Sequence, residues 1–544
     1  MSKFWTSFLI LITLFISGYF SHFHRDWPNP NETVRLYLAL AIVDEGRFNI
    51  DKEINTYGVI WDRAVYKGKI YSDKAPGISF AAVPSLYISR LIHKYFFKKT
   101  PGLKTQYLIA VYFTSLLFTI ISIIFLIRLF NLYNLSHSTI LLSIFSIVPG
   151  TYVTTYSMLF FGHQFSASLL FIAFVLIEFY IREEKKPVYV ISAAFLCSYA
   201  FISEYPTLFI SILLFLYLLI STRDVKVFLY SSVAIIPVTI IMYYFNSCFG
   251  SPFSTGYQHL DSETFSKIHS SGVLGFKYPD PKAIINLLFG SQRGLFFYSP
   301  VLTFAVLYFL KSGLKYSLMR IIFVIFLFYT LLISSFGYWI GGDAAGARHL
   351  MPLNYFLIVP LAFFLEENLN KPFALSIFFG LLLISVHNII VSTISWPFFP
   401  PQFLNPIAHF CYILISDGYI THSIANLFGI YGISSIGIYL FIIATIFLLC
   451  MVFLLRRFYS GYIIVAEIFI IWILFITMLF PSRPDEENYR EIIRIERSFD
   501  PKPMMNLPFE FDKRSEYKIC LKKGNVLMKR GELIEAIMSY RCIR

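Results

Sequence analysis

The sequence predicts an all-α protein that crosses a membrane many times. Hydrophobic residues make up 57% of the 544 residues, and charged residues make up only 14%, whereas a typical soluble domain has about 25% charged residues. Apolar runs of the length that a helix needs to cross a bilayer recur along most of the chain. The charges concentrate at the C-terminal end, where 25 of the last 64 residues are Asp, Glu, Lys or Arg. These features exclude a soluble globular enzyme, a disordered chain and a disulfide scaffold.

The apolar runs predict about thirteen transmembrane helices in a membrane domain over residues 1–480. The first run, 4–21, lacks a small-x-small cleavage pattern and therefore predicts an uncleaved span. A short apolar segment at 76–92 begins Ala75-Pro76-Gly77 and predicts a helix at the interface. The spans are 4–21, 106–130, 138–158, 164–181, 188–204, 207–221, 227–245, 297–310, 319–337, 352–366, 372–392, 432–455 and 460–480.

The distribution of basic residues predicts the orientation of these spans. If 76–92 does not cross, the short loops on the side of the N-terminus are rich in Lys and Arg, as cytoplasmic loops are. Those basic residues are Arg128, Arg182, Lys185, Lys186, Arg223, Lys226, Lys311, Lys315, Arg320, Lys371, Arg456 and Arg457. We therefore expect a cytoplasmic N-terminus. The opposite, outer face then has two long loops, 22–105 and 246–296, and shorter segments at 159–163, 338–351 and 393–431.

A soluble charged tail follows at 481–544, also on the outer side. Within it, Gly524, Leu527, Gly531, Ala536 and Tyr540 have the spacing of a single tetratricopeptide-like helix pair near 517–544. Such repeats bind proteins when they are stacked. The tail therefore raises the alternative of a non-catalytic membrane scaffold that recruits partners.

The first outer loop carries interleaved carboxylates and cations. Glu32, Asp44 and Asp51 are candidate catalytic bases, because a carboxylate can orient or deprotonate an acceptor hydroxyl. Arg35 and Lys74 are candidate phosphate ligands, because cations neutralise a phosphate leaving group. A loop whose charges face only water is the alternative for any single carboxylate.

The other outer segments add polar groups on the same predicted face. Arg293 and Arg348 are further candidate phosphate ligands, since a guanidinium binds phosphate through two hydrogen bonds. Headgroup contact is the alternative for each arginine. The remaining candidates for a sugar or acceptor pocket are Asn31, Asp73, His163, Gln164, Glu204, Trp339 and Asp343.

Several other functions have no support in the sequence. No GxxxxGK[ST] or GxGxxG motif stands at a strand-to-helix junction, and no paired histidines indicate a zinc protease. The net charge of +13 lies largely in loops between spans, so nucleic acid is not an expected partner. A divalent metal cofactor is left open. Few charges lie within the spans, which argues against an ion-coupled transporter, although a transporter of lipids or lipid-linked saccharides remains an alternative.

Three of these motifs, in this order, resemble those of membrane glycosyltransferases that use polyprenyl-phosphate sugars. The resemblance is to the protein O-mannosyltransferase and aminoarabinose transferase type, with the GT-C fold, and covers residues 1–480. Pro30-Asn31-Glu32-Thr33 with Arg35 matches the family's Asp-Glu pair ahead of Arg-Tyr. Lys74-Ala75-Pro76-Gly77 resembles the family's Lys-Pro-Pro-Leu, and Arg348-His349-Leu350-Met351-Pro352 resembles its Arg-Tyr-x-x-Pro.

The resemblance implies inverting transfer of a sugar from a polyprenyl-phosphate donor to a lipid, glycan or protein acceptor. The reaction would take place on the outer face of a bacterial-type plasma membrane. Lys74, Arg348, Arg35 and Arg293 would stabilise the departing phosphate. The family's catalytic Asp falls on Asn31, which cannot act as a base. We therefore expect Glu32 to replace it; the alternatives are Asp44, Asp51 or a loss of activity.

Overall fold

A computed structural model describes most of the chain up to residue 455. It covers residues 3–23, 29–183, 185–273, 275–311 and 313–455. Beyond residue 455 it describes only Ile468, Trp472, Ile473, Asn488, Glu491, Ile492, Ile495 and Glu496. The helix pair predicted near 517–544 therefore lies outside the described residues.

The first half of the chain forms helices joined by short turns. A π turn at Tyr112–Leu116 joins α5 to α6 in one continuous helix, Leu103–Leu132. The helices are α1 (Lys3–Gly18), α2 (Pro30–Glu45), α3 (Asp51–Tyr57), α4 (Gly77–Ile92), α5 (Leu103–Val111), α6 (Leu117–Leu132), α7 (His137–Ile147), α8 (Val153–Ser157), α9 (Gly162–Arg182), α10 (Pro187–Ser203) and α11 (Thr207–Thr222).

The second half continues the same architecture, with a mostly irregular segment between α13 and α17. Its helices are α12 (Lys226–Ser231), α13 (Ile235–Phe249), α14 (Glu263–Ser270), α15 (Pro281–Leu288), α16 (Leu295–Tyr298), α17 (Thr303–Lys311), α18 (Ser317–Ser334), α19 (Met351–Asn368), α20 (Pro372–Ile394), α21 (Tyr412–Ser416) and α22 (Gly437–Leu455).

The described part of the chain contains two small antiparallel strand pairs. β1 (Phe20–Ser21) pairs with β4 (His422–Ser423), which joins the end of α1 to a late segment. β2 (Ala64–Tyr66) and β3 (Lys69–Tyr71) form a hairpin. Lys67 and Gly68 at its turn have φ angles of 48° and 75°, as a two-residue turn of type I′ requires.

The chain is an all-α polytopic membrane protein. Seven of the described helices are long and apolar enough to cross a membrane, and six shorter helices are also apolar. Twelve of the thirteen predicted spans fall on these helices, and 460–480 lies largely outside the described residues. Helix α9 is central, because nearly all of its residues are buried and it packs against α6, α10, α11 and α19.

Two predicted boundaries differ from the structure. The span predicted at 138–158 is interrupted, because α7 ends at Ile147 and α8 begins at Val153, with Pro149 and Gly150 in the break. The segment 393–431 was expected to be an outer loop but contains an apolar helical stretch, Ile407–Ser416. The segment 76–92 is helical as α4, and its predicted position at the interface stays a prediction.

A second, smaller apolar cluster fixes the first loop on the helical body. Tyr37 and Leu38 of α2 and Tyr71 of β3 belong to it, together with Tyr244 and Phe249 of α13. The opposite side of α2 packs into the main core. Helix α2 is therefore buried on both sides, and the loop that carries the predicted motifs has a defined position.

Candidate functional site

Residues from separate parts of the chain surround one cavity of about 270 Å³, here called the site cavity. It lies where α2, α9, α11 and α19 begin and α10 and α18 end. Its lining is Asn29, Pro30, Asn31, Arg35, Trp61, Asp62, Arg63, Asp73, Lys74, His163, Glu204, Tyr257, Leu260, Ser262, Phe265, His269, Phe336, Tyr338, Gly341, Gly342, Asp343, Arg348 and His349.

The beginning of α2 forms one wall of the site cavity. Asn29 caps the helix, with its side-chain oxygen accepting a hydrogen bond from the backbone N–H of Asn31 at 3.0 Å. Arg35 lies one turn later on the same face and donates to the backbone and side-chain oxygens of Asn31. Its Nη2 also donates to Glu204 Oε1 at 2.6 Å. This ion pair joins α2 to the break between α10 and α11.

Lys74 lies between two carboxylates in the next wall. Its ammonium is 2.8 Å from Asp73 and 3.0 Å from Asp62. Burial would lower the pKa of Lys74, but Asp62 and Asp73 reverse that effect and raise it, so the ammonium stays charged. The second oxygen of Asp73 has no hydrogen-bond partner among the described residues. This oxygen is itself buried.

Three glycines permit the close approach of the segments that carry these side chains. A Cβ on Gly77 would lie 2.7 Å from the backbone nitrogen of Ser203, and one on Gly162 would lie 2.5 Å from Glu204 Oε1. A Cβ on Gly256 would lie 2.7 Å from Asp73 Cα. Each distance is shorter than a side chain tolerates, so these contacts depend on glycine.

Arg348 lies at the opposite wall, after a turn rich in glycine. Gly341, Gly342 and Gly346 have φ angles of 75°, 62° and 56°, a left-handed conformation that glycine adopts without strain. The Arg348 guanidinium lies over the ring of Phe161 at 5.4 Å. It makes no ion pair with the carboxylates that the structure describes, and its buried Nε has no hydrogen-bond partner among described residues. Arg348 is therefore available to bind an anion.

Three histidines complete the lining. His163 Nδ1 is 3.5 Å from Glu204 Oε2, and the His163 ring meets the His349 ring edge-on at 5.1 Å between centroids. His269 stacks on Tyr257 at 4.2 Å. Burial lowers the pKa of His269 to about 4, with a smaller contribution from Lys74, so this ring is neutral near pH 7.

Eight of the residues predicted from the sequence line this cavity. They are Asn31, Arg35, Asp73, Lys74, His163, Glu204, Asp343 and Arg348. Sequence analysis did not select Trp61, Asp62, Tyr257, His269 or His349 as site residues. Asp62 stood in the charged run of the first loop, and His349 is next to Arg348, whereas nothing local distinguishes Tyr257 or His269.

Glu32, the predicted base, lies outside the lining. It is one residue after Asn31 and points into the protein, because successive helical residues are about 100° apart. Its Oε1 accepts hydrogen bonds from Tyr107 Oη at 2.7 Å and from the backbone N–H of Phe160 at 2.5 Å. Burial raises the pKa of Glu32 to about 8, against the opposing effects of Tyr107, Phe160 and Arg35.

Arg293 is also absent from the lining. Its guanidinium is fully buried and donates to the carbonyl oxygens of Ile340 at 2.9 Å, Gly342 at 2.7 Å and Phe399 at 3.2 Å. A fourth hydrogen bond goes to the carbonyl of Gln292 at 3.2 Å. Arg293 therefore contacts the backbone of the loop that carries Asp343 and does not reach the cavity.

The other predicted residues outside the lining have structural partners or pack on the core. Asp44 pairs with Arg90 at 2.5 Å, and Asp51 accepts from the backbone N–H of Ile70 at 3.2 Å. Gln164 is buried and donates to Thr119 and Tyr355, each at 2.7 Å. Trp339 is partly buried and packs against the main core.

The described residues include no group of three or more His, Cys, Asp or Glu side chains that could hold a metal ion. In the site cavity, Asp62 and Asp73 are both directed to Lys74 and Glu204 to Arg35. Lys74 and Arg35 are therefore paired with carboxylates, whereas Arg348 pairs with none of the described carboxylates.

Comparison with known proteins gives a distant structural similarity. No family model and no curated protein sequence matches the chain. Among solved structures, the chain is similar to the archaeal oligosaccharyltransferase AglB from Archaeoglobus fulgidus, in complex with an inhibitory peptide and a dolichol-phosphate. The TM-score is 0.40 at 12% sequence identity, over 74% of this chain. The match spans 57% of the AglB chain.

Proposed function

We propose that this protein is a membrane glycosyltransferase of the GT-C type. It moves a sugar from a polyprenyl-phosphate donor to an acceptor hydroxyl at the site cavity, with inversion at the anomeric carbon. The observation that carries this proposal is the position of Arg348. It is a cation without a carboxylate partner among the described residues, in a cavity that also holds the Lys74 and Arg35 ion pairs.

The arrangement of charges suits the departure of a phosphate. As the acceptor oxygen bonds to the anomeric carbon, the bond from that carbon to the phosphate oxygen breaks. Polyprenyl phosphate leaves with the electron pair, and the acceptor proton passes to a base. Arg348 would bind the phosphate directly, and Lys74 would share its charge between Asp62, Asp73 and the developing anion.

Aromatic side chains support a sugar as the group transferred. Trp61 is 82% exposed although it lines the site cavity. The rings of Tyr257, Phe265, Phe336 and Tyr338 line the same space. Ring faces beside carboxylates suit the two kinds of surface on a sugar, because its C–H groups pack on rings and its hydroxyls donate to carboxylates.

We propose that the site cavity faces outward, across the membrane from the basic loops. Helix α9 begins at the cavity and ends at Arg182, whereas α10 ends at the cavity and α11 begins there. The loops that contain Arg182, Lys186, Arg223 and Lys226 therefore lie at the far end, as positive-inside orientation requires. In this proposed orientation the N-terminus is cytoplasmic.

Cysteine labelling of intact cells tests this orientation. Four native cysteines, Cys197, Cys248, Cys411 and Cys450, are buried. In a chain with Cys520 and Cys542 replaced by Ser, a cysteine introduced at Lys67 of the hairpin and one introduced at Lys185 of the α9–α10 loop should label differently. An impermeant maleimide should label only the first in intact cells and both after lysis. The reverse pattern would contradict the outward assignment.

A transfer assay tests the function itself. Purified protein in lipid nanodiscs would receive radiolabelled polyprenyl-phosphate hexoses and pentoses with a membrane extract as the acceptor source. We expect label in a new product with wild type. Arg348→Ala and Lys74→Ala should each lower the rate by about 100-fold or more, the usual effect of removing a group that stabilises developing charge.

The matched control is Lys267→Ala. Lys267 is 81% exposed and pairs only weakly with Glu263 at 3.9 Å, so its loss should leave transfer unchanged. All variants would be compared by gel filtration to establish that they are folded. Wild-type protein that binds donor but transfers nothing, or full activity in Arg348→Ala, would contradict the proposal. Movement of lipid-linked sugar across vesicles without a new glycosidic bond would instead indicate a transporter.

A further inference from the structure

The site cavity contains four carboxylates, and three of them are held in ion pairs. Asp62 and Asp73 lie within 3.0 Å of Lys74, and Glu204 lies 2.6 Å from Arg35. A carboxylate bound in this way has its charge directed at its partner. Asp343 is the exception, because it makes no hydrogen bond or ion pair with any side chain in the described part of the chain.

Asp343 is open to the cavity, yet the backbone beneath it is fixed. The preceding residues, Gly341 and Gly342, are both left-handed. The buried guanidinium of Arg293 donates to the carbonyl oxygens of Ile340 and Gly342, which bracket this turn. The same group also donates to Phe399 at 3.2 Å, so the turn is tied to a second segment. An accessible carboxylate on a rigid turn is what proton transfer at a defined position requires.

Asp343 also lies in the same cavity as the groups that would receive the leaving phosphate. Arg348 is five residues further on, and both residues line the cavity. The three bases predicted in the first loop lack this access: Glu32 is bound to Tyr107 and Phe160 behind the wall, and Asp44 and Asp51 lie outside the lining. The amide side chain of Asn31 cannot accept a proton from the acceptor.

We propose that Asp343 is the general base of the transfer and that Arg293 is its positioning residue. This inference rests on the proposed function. A carboxylate oxygen of Asp343 takes the proton from the acceptor O–H as that oxygen bonds to the anomeric carbon. The bond to phosphate breaks on the opposite face, and the phosphate leaves with the electron pair toward Arg348 and Lys74. The base therefore comes from the loop before α19 and not from the first loop, where Asn31 stands.

The surroundings of Asp343 give it a suitable acidity. The protein around the cavity limits the solvation of its carboxylate and raises its pKa to about 6; Arg293 and Arg348 oppose this effect, while Glu491 and Asp62 add to it. Tyr338 also faces it. The carboxylate is thus the main form at pH 7, and its conjugate acid is weak enough for the group to accept a proton. Transfer should fall as the pH is lowered through about 6.

The experiment compares Asp343→Asn, Asp343→Glu and Arg293→Lys with wild type in the nanodisc transfer assay. The control is Glu263→Gln, since Glu263 is 91% exposed and lies outside the cavity lining. We expect Asp343→Asn to lower kcat by about 100-fold to 10,000-fold, the range for a general base, with little change in the KM for donor. Asp343→Glu should recover part of the rate.

The pH profile separates a base from a merely structural side chain. The kcat/KM of wild type should fall below about pH 6, which is the acid limb of its pH profile. The kcat/KM of Asp343→Asn should be low at every pH and should show no such fall. Arg293→Lys should keep the protein folded, lower kcat and shift the limb, because it displaces the turn without removing the carboxylate.

Two results would overturn the inference, and they are distinguishable. If wild type transfers sugar and Asp343→Asn keeps more than one tenth of its rate with an unchanged acid limb, Asp343 is not the base although the function holds. If folded wild type binds polyprenyl phosphate but transfers no sugar, the proposed function fails and this inference fails with it. A folded Asp343→Asn that binds donor and transfers at about 1% or less of the wild-type rate, without an acid limb, supports the assignment.

Discussion

Breaking the ion pair between Arg35 and Glu204, which lines the site cavity, should lower the free energy of unfolding of the protein. The exposed fractions of the two side chains are 2% and 11%, so neither charge is solvated when its partner is removed. Loss of one member of a buried pair costs about 3–5 kcal/mol. In Glu204→Gln the guanidinium keeps the two oxygens of Asn31, so we expect a smaller loss of about 2–3 kcal/mol.

The partner substitution should behave differently with pH. In Arg35→Gln the carboxylate of Glu204 is left buried, and burial already raises its pKa while Arg35, the largest opposing influence, is present. An acid with a raised pKa in the folded state binds more protons when folded, so its stability falls as the pH rises. Arg35→Gln should therefore lose more stability at pH 8 than at pH 5.

A double-mutant cycle measures the pair directly. The free energy of unfolding would be obtained from SDS titration in mixed micelles for wild type, Glu204→Gln, Arg35→Gln and the double variant. Because the double variant contains neither charge, its loss should be smaller than the sum of the two single losses by about 1–3 kcal/mol. Additivity within about 0.5 kcal/mol would refute the claim that these charges stabilise each other.

Three further substitutions have defined outcomes. Gly77→Ala should destabilise the protein by about 1–3 kcal/mol, because its Cβ would meet the backbone of Ser203, whereas Gly102→Ala, with open space around it, should be near neutral in the same SDS titration. Glu32→Gln should flatten the pH dependence of stability: with a pKa raised from 4.5 to about 8, Glu32 makes the wild type lose stability as the pH rises between those values. Equal pH slopes would contradict that. Trp61→Ala should raise the KM for donor or acceptor in the transfer assay without changing the unfolding free energy, because the ring is 82% exposed.

The helices were predictable because each one depends on a continuous stretch of sequence. An apolar run of sufficient length identifies a transmembrane helix without knowledge of its neighbours. Boundaries were less well determined. The run 138–158 is apolar throughout, but Pro149 and Gly150 divide it, and apolar content alone does not show that break. The helical stretch Ile407–Ser416 was missed because it is shorter than a span.

The site was predictable to the extent that residues share one end of the bundle. Placing the polar segments on one face grouped Arg35, Lys74, Glu204 and Arg348, and these line one cavity. The direction of each side chain was harder to predict. Glu32 and Asn31 are adjacent, yet only Asn31 reaches the cavity, because the helix turns by about 100° between them.

Two other features depend on tertiary structure that the sequence does not record. An arginine that binds backbone carbonyls and one that lines a cavity without a carboxylate partner look the same in the sequence, so Arg293 and Arg348 could not be distinguished. His269 and Tyr257 belong to a long loop between spans. No periodicity fixes the path of such a loop, and their stacking at 4.2 Å was not foreseeable.

The order in which the walls of the site cavity are synthesised has a consequence for biogenesis. Arg35 and its partner Glu204 are 169 residues apart, and ribosomes add about 5–20 residues per second. About 10–30 s therefore pass between the synthesis of Arg35 and the synthesis of Glu204. The turn that carries Asp343 and Arg348 emerges later still. A nascent chain stopped before that turn would present an open, charged cleft at the membrane, which should make it a substrate for chaperones and membrane proteases.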